Sequence, residues 1–293
     1  MKLQTKMTYL MVLATFFWGA AFIAAKLGVY ALSPVLLTFL RMGIATLIFF
    51  PWMMSRLKGN WKIQKKEWPM VILTGLIGMV GYHMFFFTAL QFTSASKASM
   101  INAANPVITA LLAHYFVSEK LTRSKFKFLI SAWIGVLIII VSGNNINVVS
   151  DGLNRGDLIM LMGTLCWAFY GILVKRYLPR LGAIKLTAYT FLTSTLMTAP
   201  FAIYDLFTSS ALNVGISPYI AVLYMAIFPT VIGYAIQQQS IVHLGASKTA
   251  LFINLVPIVS TTLAVLFLGE SVSMVQILGA LMVLMSVWFF NKQ

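Results

Sequence analysis

Apolar residues run along this chain in long unbroken stretches, not in the every-third or every-second pattern of a soluble fold. A helix needs about 20 apolar residues to cross the hydrocarbon core of a bilayer. On that scale the 293 residues predict ten spans, at roughly 7–29, 34–54, 69–91, 97–117, 125–143, 156–176, 183–205, 217–240, 247–268 and 272–290. Pro34, Pro51, Pro69, Pro179 and Pro218 fall at or near predicted ends, where a missing backbone donor does least harm. The first stretch, with Lys2 and Lys6 ahead of it, has the layout of a secretory signal. Because similar stretches follow and this one recurs internally, it reads as the first span. The loops are too short for a separate soluble domain.

Composition agrees with the pattern. Sixty per cent of residues are hydrophobic and 9% charged, where a soluble domain carries about 25% charged residues. Mean hydropathy is +0.90. The net charge of +15 would point to nucleic acid in a soluble protein. Here no nucleic-acid motif with interleaved aromatics is present, and the basic residues gather between apolar runs, where they meet anionic lipid. No nucleic-acid partner is expected. The single cysteine, Cys166, allows no intrachain disulfide.

The charges also orient the chain. With the N-terminus inside, the inner segments hold Lys2 and Lys6, then Arg56, Lys58, Lys62, Lys65 and Lys66, then Lys120, Arg123, Lys125 and Lys127, then Lys175, Arg176, Arg180 and Lys185, with Lys248 and Lys292. The outer segments hold Lys26, Lys97 and Arg155. The positive-inside rule then puts both termini in the cytoplasm, requires an even number of spans, and makes a cell inner membrane the expected location.

The two halves repeat. "TFFWGAAFIAAK" at 15–26 matches "TLCWAFYGILVK" at 164–175 in its Thr, Trp and Lys. Gly81-Tyr82 matches Gly233-Tyr234. Ala95-Ser96-Lys97, Pro106, Phe116 and Glu119 match Ala246-Ser247-Lys248, Pro257, Phe267 and Glu270 without a gap. Five spans per half is odd, so the second half enters the membrane from the opposite side. The expected fold is an all-α polytopic membrane protein: ten transmembrane helices as two inverted five-helix repeats, 1–147 and 148–293. Many secondary transporters are built this way, with the substrate site near the midplane between repeats. A duplicated but static bundle is the bland alternative.

Trp18-Gly19, Arg41 in the second span, and "TSASKASMINAANPVITALLAHYFVSEKLT" at 93–122, echoed by "LGASKTALFINLVPIVSTTLAVLFLGESVS", carry a resemblance. Over nearly its whole length the sequence resembles the EamA-type permeases of the drug/metabolite transporter superfamily. That resemblance implies export of amino acids, other metabolites or drugs, with some members importing. Trp167 is followed by Ala168, not Gly, and Thr190 aligns with Arg41, so the halves have diverged and two equivalent sites are not expected.

The chemistry is mostly defined by what is missing. There is no G-x-x-x-x-G-K-[ST] loop to hold ATP. Glu67, Glu119, Asp151, Asp157, Asp205 and Glu270 all fall in loops or near span ends, so a mid-membrane carboxylate relay lacks its parts. No metal spacing, cofactor motif or nucleophile–base constellation appears, so no enzyme, metal or cofactor is expected. A proton remains a candidate coupling ion through His83, whose ordinary pKa lies near physiological pH. A buried imidazole satisfied by a neighbouring helix is the competing reading.

Polar stripes mark the central spans. Ser99, Asn102, Pro106 and Thr109 share one face of the fourth span, with Asn105 beside it, and Ser247, Asn254, Pro257 and Thr261 repeat this in the ninth. Tyr234, Gln237 and Gln238 form a patch in the eighth. Such faces should point away from lipid, either lining a cavity or bonding helices together. Trp18, Tyr82, Trp167, Tyr170 and Tyr234 lie within spans, where aromatic walls can hold flat or apolar solutes. The substrate-binding candidates are therefore Trp18, Tyr82, His83, Ser99, Asn102, Asn105, Trp167, Tyr170, Tyr234, Gln237, Gln238 and Asn254. Pro106, Pro229 and Pro257 are candidate hinges, since each removes a backbone hydrogen bond within a span. Arg41 is read as structural, snorkelling towards the outer end on a helix that the resemblance implies is peripheral, with attraction of a substrate carboxylate as the alternative. Glu119 and Glu270 are read as closing their spans, with Thr122 and Ser273 capping the next helices. The expected function is a secondary transporter moving a small-molecule substrate, a small amphipathic metabolite, across the lipid bilayer. Export of drug-like compounds is an alternative, and a non-transporting scaffold or receptor a remoter one.

Overall fold

A computed structural model describes residues 3–117, 122–142, 154–209, 211, 214–244, 249 and 252–292, all in helices or short connections. The helices are α1 (Leu3–Gly28), α2 (Pro34–Leu57), α3 (Trp68–Thr74, Gly75–Gly81 and Tyr82–Phe92 in succession), α4 (Ala95–Asn102), α5 (Asn105–Val117), α6 (Arg123–Val141) and α7 (Arg155–Leu181). There follow α8 (Ala183–Thr208), α9 (Ser217–Met225, Ala226–Ile232 and Gly233–Leu244 in succession), α10 (Val256–Leu268) and α11 (Met274–Lys292). Within the described residues, each predicted span falls on helix. Among the described residues, six helices are long and apolar enough to cross a membrane, and α10 and α11 are shorter apolar helices. Glu119, Asp151, Ser247, Lys248, the repeat boundary near 147 and the side chain of Gln238 lie outside the described residues.

Local chemistry sets the helix starts. Ser33 Oγ accepts from Leu36 N (3.2 Å) just before Pro34, which needs no donor at that position. Thr122 accepts from Lys125 N (3.3 Å), as the sequence indicates. Ser273 and Gln276 cap each other reciprocally: Gln276 N donates to Ser273 Oγ at 3.2 Å and Ser273 N to Gln276 Oε1 at 3.1 Å.

Two departures from straight α-helix recur at corresponding points of the halves. Gly75–Gly81 in α3 and Ala226–Ile232 in α9 are π-helical. Pro229 sits inside the second of these. The fourth span is not one helix: it breaks at Ala103-Ala104 between α4 and α5. The ninth has the matching turn at Asn254-Leu255, just before α10. Pro106 and Pro257 therefore stand in the first turn of a new helix, where proline is tolerated, instead of kinking a continuous one. Pro51 and Pro179, read as boundary residues, lie inside α2 and α7.

The core lies between the repeats. α2 packs on α8, α6 on α11, α3 on α7, α1 on α9 and α10, and α4 on α7 and α10. Exchanging the halves turns the α3–α7 contact into α9–α1, the relation a twofold axis produces. Small residues allow the approach. A Cβ on Gly19 would come within 2.6 Å of a Val259 methyl and 3.1 Å of the Ser260 amide. Hydroxyl pairs bridge helices at Thr74–Thr190 (3.0 Å), Thr46–Thr195 (3.1 Å) and Ser286–Ser131 (2.9 Å). Large apolar side chains such as Leu47, Phe201, Phe207 and Phe267 face outwards, as lipid requires.

Candidate functional site

Between the repeats lies a cavity of about 130 Å³. Eight of the predicted site residues line it: Trp18, Tyr82, His83, Ser99, Asn102, Trp167, Tyr234 and Gln237, together with Pro257. The lining also includes Phe22, Phe86, Ile253, Val256 and Arg41.

The π-turns build its aromatic walls. Tyr82 follows the first π segment and Tyr234 lies two residues beyond the second, so the wider turns set the direction of both rings. Trp167 stands between them, 4.8 Å from the Tyr82 ring centroid and 6.4 Å from that of Tyr234. Trp18 Nε1 donates to Pro229 O at 2.9 Å, a carbonyl inside the π segment of α9. Each repeat's tryptophan thus packs on or beside the other repeat's π segment.

The polar wall comes from α4. Ser99 and Asn102 lie one turn apart on its inner face, and both share the cavity lining with Tyr82. Thr164 Oγ1 donates to Asn102 Oδ1 at 3.4 Å. Buried His83 donates from Nδ1 to the Met79 carbonyl of its own helix at 2.8 Å, so one ring nitrogen is already satisfied.

Other candidates stand elsewhere. Asn105 Nδ2 donates to Thr164 O (3.2 Å) and its Oδ1 accepts from Thr109 (3.3 Å), which makes it a tie between α5 and α7. Buried Tyr170 stacks behind Trp167, with ring centroids 5.0 Å apart, and fills the space over Gly78. Asn254 opens on a separate groove between the ninth and tenth spans, beside Ile258 and Trp288. Pro106 and Pro229 lie outside the lining.

Arg41 corrects the sequence reading. It does not snorkel on a peripheral helix: it is 7% exposed and forms part of the cavity wall. Its Nε donates to Thr230 Oγ1 at 3.0 Å, and that hydroxyl in turn donates to Met225 O at 2.7 Å. Among the described residues no carboxylate pairs with Arg41 and none lines the cavity. α2 is drawn in by its packing on α8 and on the π segment of α9, which sequence periodicity did not reveal.

The end groups also differ from expectation. Lys97, assigned by the charge pattern to an outer segment, is buried and paired with Asp157 at 2.6 Å. Glu270 does not cap its own chain neighbours: it reaches the start of α4.

Two repeated helical halves enclosing an amphipathic central cavity have the architecture of a membrane transporter. The chain belongs to the EamA-like transporter family, whose profile matches residues 5–141 and again 154–292. It is 33% identical over 284 residues to the uncharacterized transporter YyaM of Bacillus subtilis (strain 168), covering 95% of this chain and 92% of that one. It is 26% identical over 293 residues to a "probable amino-acid metabolite efflux pump" of Salmonella typhimurium, covering 96% and 93%. A solved crystal structure shares the fold, with a TM-score of 0.67 at 20% identity over 98% of this chain and 97% of that one.

Proposed function

We propose that this transporter exports small amphipathic metabolites bearing a carboxylate, amino acids foremost, by alternating access through the cavity between its repeats. One observation carries the reading: Arg41 is a buried guanidinium facing the cavity with a neutral hydroxyl as its partner and, among the described residues, no acid beside it. A guanidinium is permanently charged and binds a carboxylate through two parallel hydrogen bonds. A solute carboxylate supplies the anion that the protein leaves out. The rings of Trp18, Tyr82, Trp167 and Tyr234 supply an apolar bed for the remainder, and Ser99, Asn102 and Gln237 offer neutral partners for an ammonium group. The Salmonella relative named for amino-acid metabolite efflux supports the direction. In this reading each half, 1–147 and 148–293, moves as a unit, both termini face the cytoplasm of an inner membrane, and protons are the ion to test for coupling.

A second reading is export of drug-like compounds, favoured by the apolar share of the lining, Phe22, Phe86, Ile253 and Val256. Counterflow into proteoliposomes separates the two. Loaded with apolar amino acids, the vesicles should exchange them. The matching amines, which lack the carboxylate, should exchange at least about tenfold more slowly, the worth of one charge-assisted bond. Arg41→Met should remove that preference. Equal exchange of acid and amine sinks the carboxylate reading, and an imposed pH gradient in the same vesicles tests coupling.

A further inference from the structure

We propose that the junction between α3 and α4 is the latch that closes one mouth of the cavity, and that the second repeat holds it shut through two carboxylates, Glu270 and Asp157. Glu270, in the link from α10 to α11, clamps the first turn of α4. Its Oε1 accepts from Ala95 N at 2.7 Å, and its Oε2 accepts from Ser96 N at 3.0 Å and Ser96 Oγ at 2.6 Å. A helix start presents unpaired amides and a partial positive charge, so a carboxylate there is well matched. Asp157, near the start of α7, takes the next residues along: Oδ1 accepts from Thr93 Oγ1 at 2.5 Å and Oδ2 from Lys97 Nζ at 2.6 Å. Lys26 of α1 fastens the other side of the junction by donating to Leu90 O (2.6 Å) and Thr93 O (2.8 Å). Three charged side chains from three elements thus converge on eight consecutive residues. This is the end that the charge pattern places outside. At the opposite end Lys185 reaches Asn60 at 3.1 Å through an exposed contact.

The arm that these ties hold is short and separately jointed. α4 has 8 residues, all buried from Ala95 to Ile101, and stops at the Ala103-Ala104 break. Its first turn carries the latch. Its second carries Ser99 and Asn102, which face the cavity. From Ser96 to Asn102 is about 9 Å along a helix. A swing of α4 about the break therefore frees its first turn and moves the polar wall together. Solute held by that wall and closure at the latch become two readings of one helix position, and an empty cavity and a filled one need not favour the same position.

The test uses a full-length chain with Cys166→Ser and a reporter, Ala103→Cys, in the cavity wall. A membrane-impermeant thiol reagent is added to either face of oriented vesicles, without substrate. Glu270→Ala should raise labelling from the latch face by about tenfold or more, since it removes hydrogen bonds to a charged group. Glu270→Gln, which keeps an accepting oxygen without the charge, should fall between. A cooperative thermal unfolding transition shows that a variant is folded. If folded Glu270→Ala labels at the parental rate from that face, the latch is refuted. If the alanine variant does not fold, the glutamine variant decides, and a parental rate there refutes it equally. Labelling needs no knowledge of the substrate, so this result and the counterflow result stand or fall separately.

Discussion

Asp157→Leu replaces a buried carboxylate with an apolar side chain and removes its charge. In the parent, Asp157 is fully buried and accepts from both Lys97 and Thr93. The substitution leaves Lys97, itself 4% exposed, with the Ile140 carbonyl at 3.4 Å as its remaining partner. Breaking a buried ion pair by removing one partner costs about 3–5 kcal/mol, because a charge is stranded out of water. Lys97→Met should cost about as much, since it strands the carboxylate instead. Replacing both, with Lys97→Met and Asp157→Leu together, removes both charges and fills a similar volume, which is near neutral in other buried pairs. Thr93 then loses its acceptor, at about 1 kcal/mol. The two single losses added give roughly 6–10 kcal/mol, whereas the double variant should lose about 1. Equilibrium unfolding in mixed micelles, followed by tryptophan fluorescence, measures all four proteins. A double variant as unstable as the sum of the singles would show that the pair is not coupled, and the account of this end of the bundle would be wrong.

Three further outcomes follow from the packing and the site. Gly19→Ala should separate α1 from α10 and lower both stability and transport rate by about 1–3 kcal/mol equivalent, as overpacking does. Gly43→Ala, whose added Cβ meets a Thr195 methyl at 3.6 Å, should behave like the parent in the same assays. His83→Gln should leave the pH profile of counterflow unchanged, because the ring is held by its own helix through Met79 O. A shift of that profile towards pH independence would instead assign the proton to His83.

The fold was legible because the bilayer enforces it. Apolar runs must be near a membrane's thickness, most Lys and Arg gather near its surfaces, and a duplicated chain with an odd number of spans per half must invert. The aromatic and amide lining was also readable, since Trp18, Tyr82, Asn102 and Gln237 are unusual inside apolar runs and face the cavity. Asn105 shows the limit of that reasoning: an amide avoids lipid equally well by bonding a neighbouring helix. Arg41 shows another. A single arginine in a span reads the same whether it snorkels or turns inwards, and the packing of α2 against the second repeat decides which. The burial of Asp157 and the reach of Glu270 depend on pairings between elements about 60 and 175 residues apart, which no local pattern encodes. Phe22, Phe86, Ile253 and Val256 carry no signal at all, since they differ in nothing from apolar residues that face lipid.

The paired π-turns have a consequence for how such a chain tolerates change. A π-turn is a helix that has accepted one residue more than its hydrogen bonds require. Removing a residue from Gly75–Gly81 would let the turn close to ordinary α-helix, which absorbs the loss and leaves the helix beyond it facing nearly the same way. A residue removed from the plain α-helix just beyond, between Tyr82 and Phe86, meets no such reserve: everything after it turns by about 100°, and Phe86 leaves the cavity wall. The same contrast holds for Ala226–Ile232 and the α-helix that follows it, where Gln237 faces the cavity. One-residue deletions are thus best tolerated at the two places where the helices look least regular.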